Sequence, residues 1–169
     1  MARAMEIDIL IEDDGWDADV LETVATTACA AALAELGLDP DRFAVSILAC
    51  DDTRIATLNA EFRGKPAPTN VLSWPSEDRA AEAPGDMPHL PEPAADGPPE
   101  ELGDIALALG VLTREAAGAG KPFDHHLMHL IVHGLLHLLG FDHTTDPDAA
   151  LMEGLESRIL ASLGIPDPY

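Results

Sequence analysis

Residues 133–143, HGLLHLLGFDH, restrict this chain more than any other stretch. The helix that the pattern predicts around them, over 123–139, is apolar on nearly every side, with Leu127, Leu130, Ile131, Val132, Leu135, Leu136, Leu138 and Leu139, so it belongs inside a core. His133 and His137 interrupt that surface four residues apart. An α-helix turns about 100° per residue, so the two imidazoles project from one face, one turn apart. Gly140 then supplies a residue able to end the helix in a left-handed conformation, which turns the chain back and brings His143 to the same point. A lone buried histidine is ordinarily a hydrogen-bonded core residue, whereas several in register are costly unless they share a partner. A metal ion held by His133, His137 and His143 is such a partner. Zinc prefers four ligands in a tetrahedron, so three protein ligands leave a position for water or substrate.

The spacing matches H-x-x-x-H-x-x-G-x-x-H, the metal frame of the metzincin proteases, with one departure. Those enzymes carry glutamate after the first histidine as general base, and here that position is Gly134, which cannot move a proton. The metal geometry is kept while the protease's base is missing. His129, one turn before His133, is open to two readings, a role beside the metal or toward substrate, or a place in the core. His125 and His126 read as surface or helix-entry residues.

With 169 residues and 47% hydrophobic content, the chain is expected to form one domain over 1–169 with a sizeable core. Cys29 and Cys50 fall in no metal-binding spacing and read as reduced core thiols of a cytoplasmic protein. Glu6, Asp8, Glu12, Asp13 and Asp14 crowd the only apolar run near the N-terminus, which fits neither a signal peptide nor a membrane span; no membrane partner is expected. A formal net charge of −22 argues against broad electrostatic adhesion to nucleic acid or anionic lipid. Local anion recognition, if present, belongs where Arg54, Arg63 and Lys65 lie close together in sequence.

Alternation of Ile7, Ile9 and Ile11 with acidic residues predicts a half-buried strand, followed by an alanine-rich helix over 17–36 closed by Gly37. A strand at 43–49 leads to a helix capped by Asp51 or Asp52 and ended by Gly64, then a strand at 70–74. From 76 to 101 prolines, alanines and acidic residues replace apolar periodicity, which reads as a mobile acidic insertion in a hairpin-like connection. A strand at 102–109, a short helix near 113–117, the histidine helix and a last helix reaching 163 with Asp146-Pro147 at its start complete the chain. The order β-α-β-α-β-β-α-α-α predicts an α+β fold, one mixed sheet of about four strands covered by helices with a zincin-like metal site.

Three separated segments carry a resemblance to the YbeY family of rRNA maturation factors. The frame H-G-x-L-H-L-L-G-x-D-H is matched from His133 to His143. Asn59-Ala60-Glu61-Phe62-Arg63-Gly64-Lys65 with Thr69-Asn70-Val71-Leu72-Ser73-Trp74-Pro75 resembles N-x-x-F-R-x-K followed by T-N-V-L-S-F-P, with Trp74 where Phe is usual. Leu102-Gly103-Asp104-Ile105 matches L-G-D-I, and only the 76–101 insertion departs clearly. The resemblance implies a metal-dependent, single-strand-specific endoribonuclease that matures the 3′ end of 16S rRNA in the cytoplasm, with precursor rRNA and the small ribosomal subunit or its assembly factors as partners. It implies His133, His137 and His143 as ligands of one Zn²⁺ and Arg63 as the arginine of RNA processing. Chemistry agrees: a zinc ion lowers the pKa of bound water or polarises a phosphoryl oxygen, and a guanidinium pairs bidentately with phosphate. Lys65 is either a second phosphate contact or a solvated loop residue. Asn70 and Ser73 either line the same groove or satisfy the turn, and Asp142 either orients a ligand histidine or stabilises its own turn. Two other readings stand beside this one: a metallopeptidase-like hydrolase, disfavoured by Gly134, and a non-catalytic assembly factor in which zinc holds the C-terminal helices together.

Overall fold

The isoleucine alternation near the N-terminus forms strand β1 (Glu6–Ile11), which turns Ile7, Ile9 and Ile11 toward the core and leaves Leu10 outside. The computed structural model describes residues 5–93 and 96–169. Its elements follow the predicted order: α1 (Ala18–Glu35), β2 (Phe43–Cys50), α2 (Asp52–Arg63), β3 (Val71–Pro75), β4 (Glu100–Ala108), α3 (Leu109–Ala119), α4 (Phe123–Leu138) and α5 (Asp146–Ser162), with a 3₁₀ turn at Pro40–Arg42 before β2. The four strands form one mixed sheet in the order β1-β2-β4-β3, in which β1, β2 and β4 run parallel and β3 is an antiparallel edge. This is the expected α+β architecture.

One face of the sheet carries the main core. Leu127, Ile131 and Leu135 of α4 are fully buried there with Leu21 and Leu33 of α1, Ile159 of α5 and Ile105 of β4. On the other face α2 packs Ile55 and Leu58 against Leu72, Ala106 and Ala108. Cys29 and Cys50 are buried free thiols, both pushed up to about 12 by burial, so neither is a ready nucleophile. No helix among the described residues is long and apolar enough to cross a membrane.

The helix starts follow from which side chains cap them. Asp51 caps α2, its Oδ1 accepting from the Arg54 N–H at 2.7 Å. Asp52 serves a different helix: Oδ1 accepts from the Val111 N–H at 3.0 Å and Oδ2 pairs with Arg114 at 2.8 Å. This carboxylate caps α3 from another element, so α3 starts at Leu109, directly after β4, instead of near Thr113. Asp52→Ala is expected to cost about 1 to 2 kcal/mol in urea unfolding, the loss of a partly buried cap; an unchanged midpoint would refute the capping role. Thr145, not Asp146, caps α5, with its hydroxyl accepting from the Asp148 N–H.

The connection from β3 to β4 packs more closely than its composition predicts. Residues 94 and 95 lie outside the described residues. Arg79 is buried, donates to the Leu138 carbonyl at 3.4 Å and lies 3.8 Å from the Glu100 carboxylate. The Gly85 N–H donates to Asp148 at 2.9 Å, tying the segment to α5. Apolar periodicity reveals little of this, because the Arg79 guanidinium and the Gly85 amide act beside isolated apolar contacts of Pro88, Leu90 and Pro91.

Candidate metal centre

Burial of α4 fixes which way its histidines point. The helix lies against the sheet through Leu127, Ile131 and Leu135, and Gly134 lets it approach β4: a Cβ there would lie 3.2 Å from Ile105. A glutamate at 134 would start against Ile105, on the sheet side, which counts against the peptidase reading. At the C-terminus the chain turns at Gly140, whose φ is +103°. A side chain at that point would lie 2.5 Å from the Arg79 carbonyl oxygen, so glycine is required by conformation and by space. The turn returns His143 to the other two histidines.

The ring nitrogens of His133, His137 and His143 available as ligands lie within 4.8 Å of one another. The Nε2 atoms of His133 and His137 are 3.1 Å apart, close to the roughly 3.3 Å that two ligands at zinc–nitrogen distances of about 2.0 Å subtend in a tetrahedron. The opposite ring nitrogens are already engaged. His133 Nδ1 faces Glu156 Oε1 at 3.2 Å, and His137 Nδ1 faces the Phe141 carbonyl at 3.0 Å. Both acceptors require a proton on Nδ1, which leaves each Nε2 with its lone pair directed inward. Burial, then the neighbouring His133 and His143, lower His137 to about 4, so it is neutral at neutral pH. A metal ion between the two Nε2 atoms would be reached by both at this separation, and the donor set fits a metal ion.

Behind the three histidines lies a polar network that sequence reasoning missed. Glu156 of α5 is fully buried, and its Oε1 accepts from His129 Nε2 at 2.7 Å, His133 Nδ1 at 3.2 Å and the Tyr169 hydroxyl at 2.9 Å. Burial would raise this carboxyl, but hydrogen bonds from His129 and His133 hold it at about 2. Burial and the Glu156 charge push the Tyr169 hydroxyl up, so it keeps its proton and donates. His129 thus belongs to the support of His133. A signal for Glu156 was present, an acidic residue in the apolar stripe of Met152, Leu155 and Ile159; Tyr169 carried none. Glu156→Gln keeps an acceptor but removes the charge that orients His133, and is expected to weaken metal affinity about 10- to 100-fold by chelator competition. Unaltered affinity would remove Glu156 from the site. His126 takes the helix-entry alternative, in the first turn of α4, where it is buried and meets Glu115 of α3 at 2.9 Å.

The three histidines line an open cleft of about 510 Å³ together with Arg63, Ser73 and Asp142. Arg63, on the last turn of α2, is exposed and makes no ion pair or hydrogen bond among the described residues. Lys65 is exposed on the following loop and does not line the cleft. Asn70 turns elsewhere, accepting from the Val71 N–H and donating to Glu115 at 3.1 Å. Asp142 accepts from the His143 N–H at 2.7 Å, the turn-stabilising alternative.

Fold and cleft together define a class, α+β proteins in which an open three-histidine cluster beside a mixed sheet can hold a metal ion. The chain belongs to the YbeY family: it matches Endoribonuclease YbeY over residues 6–164. It is 67% identical to Endoribonuclease YbeY of Jannaschia sp., covering 98% of this chain and 100% of that relative. Identity to Endoribonuclease YbeY of Dinoroseobacter shibae is 63%, covering 99% of this chain and 92% of the relative. The solution structure of TM1509 from Thermotoga maritima aligns with a TM-score of 0.55 at 21% identity, over 94% of this chain and 91% of that one, a likeness of fold.

Proposed function

We propose that this chain is a zinc-dependent, single-strand-specific endoribonuclease of the cytoplasm that processes the 3′ end of precursor 16S rRNA. The observation that carries the reading is the guanidinium of Arg63, unpaired among the described residues, in the same cleft as three imidazoles whose ring nitrogens converge. Three imidazole nitrogens suit zinc, with His133, His137 and His143 as its ligands. Bound there, zinc supplies Lewis-acid stabilisation of a phosphoryl oxygen or a more acidic water.

The protein's own groups do the rest. Arg63 pairs with the scissile phosphate and offsets the charge that develops on its oxygens. Glu156 holds the His133 proton on Nδ1, and the Phe141 carbonyl does the same for His137, so that both rings are preorganised. No carboxylate occupies the position of a protease base, and the attacking oxygen is either water or the substrate's own 2′-hydroxyl. Lys65 adds at most a peripheral phosphate contact. A net charge of −22 opposes unguided approach to RNA, which supports delivery by the small ribosomal subunit or an assembly factor.

The test incubates zinc-loaded protein with a single-stranded RNA spanning the 3′ end of the small-subunit precursor, beside His137→Ala. Cleavage by the parent and none by the variant is expected, and end-group analysis of the products distinguishes 5′-phosphate from 2′,3′-cyclic phosphate. Equal cleavage by both would trace the activity to a contaminant and remove the proposal.

A further inference from the structure

The last turn of α2 and the end of β3 bring two aromatic rings to the rim of the cleft. Phe62 and Trp74 meet edge to face with centroids 5.0 Å apart and planes at 67°. Trp74 rests on the apolar cluster of Leu58 and Leu72, so it is anchored from below. Phe62 is 60% exposed, among the few large apolar side chains so open to solvent. Its position is hard to explain by packing, since burial is what ordinarily stabilises a phenyl ring. Both rings line the same cleft as the histidine cluster, and Arg63 is the next residue after Phe62.

We propose that the Phe62–Trp74 pair is a nucleobase-stacking site, which takes one unpaired base of an RNA strand while Arg63 engages a neighbouring phosphate. The inference rests on the nuclease reading of the cleft and deepens it. A nucleotide presents a flat apolar base beside an anionic phosphate, and the rim presents an open aromatic ring beside an unpaired guanidinium. Stacking on aromatic side chains is tolerant of sequence because every base has a π-face. It requires a base free of its own helix, so the site selects single strands: in A-form duplex RNA the bases stay stacked and paired. The carboxylates of the cleft lie on the chain after β3, Glu77 and Asp78, and after α4, Asp142, none of them on α2, and their repulsion leaves the α2 side for the phosphodiester. The two rings also border an apolar groove on the outer face of the sheet, beside Leu10 and Leu48, where a protein segment is the competing occupant.

The chain has two tryptophans, and Trp16 is buried with its Nε1–H bonded to the Cys50 carbonyl, so Trp74 is the responsive fluorophore. A short 2′-O-methylated single-stranded oligoadenylate added to the zinc-loaded protein is expected to quench tryptophan emission saturably. The same strand in a duplex should not. Phe62→Ala should raise the dissociation constant about tenfold or more and raise KM for RNA, with metal content unchanged, whereas Phe62→Tyr should retain affinity. Binding by anisotropy without quenching, equal binding of the duplex, or an unaltered constant in Phe62→Ala would overturn the stacking site. An unaltered RNA constant with loss of binding to a ribosomal protein would reassign the pair to a protein partner. Quenching without any cleavage would leave the stacking site and remove the nuclease reading, while cleavage indifferent to Phe62 would do the reverse.

Discussion

Gly140→Ala is expected to destabilise the chain by about 2 to 4 kcal/mol and to abolish tight metal binding together. Its φ of +103° is one that a side chain resists, and the added Cβ would meet the Arg79 carbonyl oxygen at 2.5 Å and the Pro88 ring at 2.7 Å. Neither neighbour is a flexible side-chain end. The Arg79 carbonyl accepts from the His89 N–H at 2.9 Å, and its guanidinium is held at the Leu138 carbonyl, so the backbone at Arg79 cannot retreat cheaply. Relief has to come from the turn itself, which carries His143 away from His133 and His137. Gly37→Ala is the control: it has a φ of +72° but nothing within 4 Å of the added atom. That variant should lose about 1 kcal/mol from backbone strain alone and bind metal normally. Urea unfolding and chelator competition on both proteins separate the effects. If Gly140→Ala resembled Gly37→Ala in both measurements, the close docking of the segment on the turn would not govern the third ligand.

The contrast between these glycines shows what the sequence could and could not reveal. Helix, turn and the return of His143 were readable because the signals are local: the four-residue histidine spacing, the apolar surround and a glycine at the turn. The strand alternation in β1 and the Asp51 cap were readable for the same reason. What escaped involves partners distant in sequence. The cap of α3 comes from Asp52, 59 residues before the amide that it serves. The orientation of His133 depends on Glu156, 23 residues further along the chain. Packing of the proline-rich segment depends on Arg79 and on the absent side chain of Gly140. A composition-based reading gives such a stretch no means of attachment, because it counts apolar area and not single buried charges. The burial of His126 escaped similarly, since its partner Glu115 lies on a different helix.

Arg63→Ala is expected to lower kcat on single-stranded RNA by about 10²- to 10³-fold while metal content and melting temperature stay the same. The expectation follows from how the arginines are employed. Arg54 pairs with Glu12, Arg114 with Asp52 and Arg158 with Glu35, each within 3.2 Å. Arg79 is buried against the end of α4. Arg63 alone among these directs a guanidinium at the histidine cleft without a carboxylate to neutralise it, and it sits on a helix end fixed by the left-handed Gly64. A group that stabilises charge developing on phosphate oxygens acts mainly in the transition state, so its loss should appear in kcat more than in KM. Arg63→Lys keeps the charge but not the planar fork, and should recover only part of the rate. Lys65→Ala provides the comparison, because a solvated lysine outside the cleft contributes through the general field: its effect should be small, confined to KM and lessened by salt. Single-turnover cleavage of one RNA by the four proteins decides the matter. A wild-type kcat in Arg63→Ala would mean that this guanidinium never reaches the reacting phosphate, and the chemistry would then rest on the metal and its histidines without help from α2.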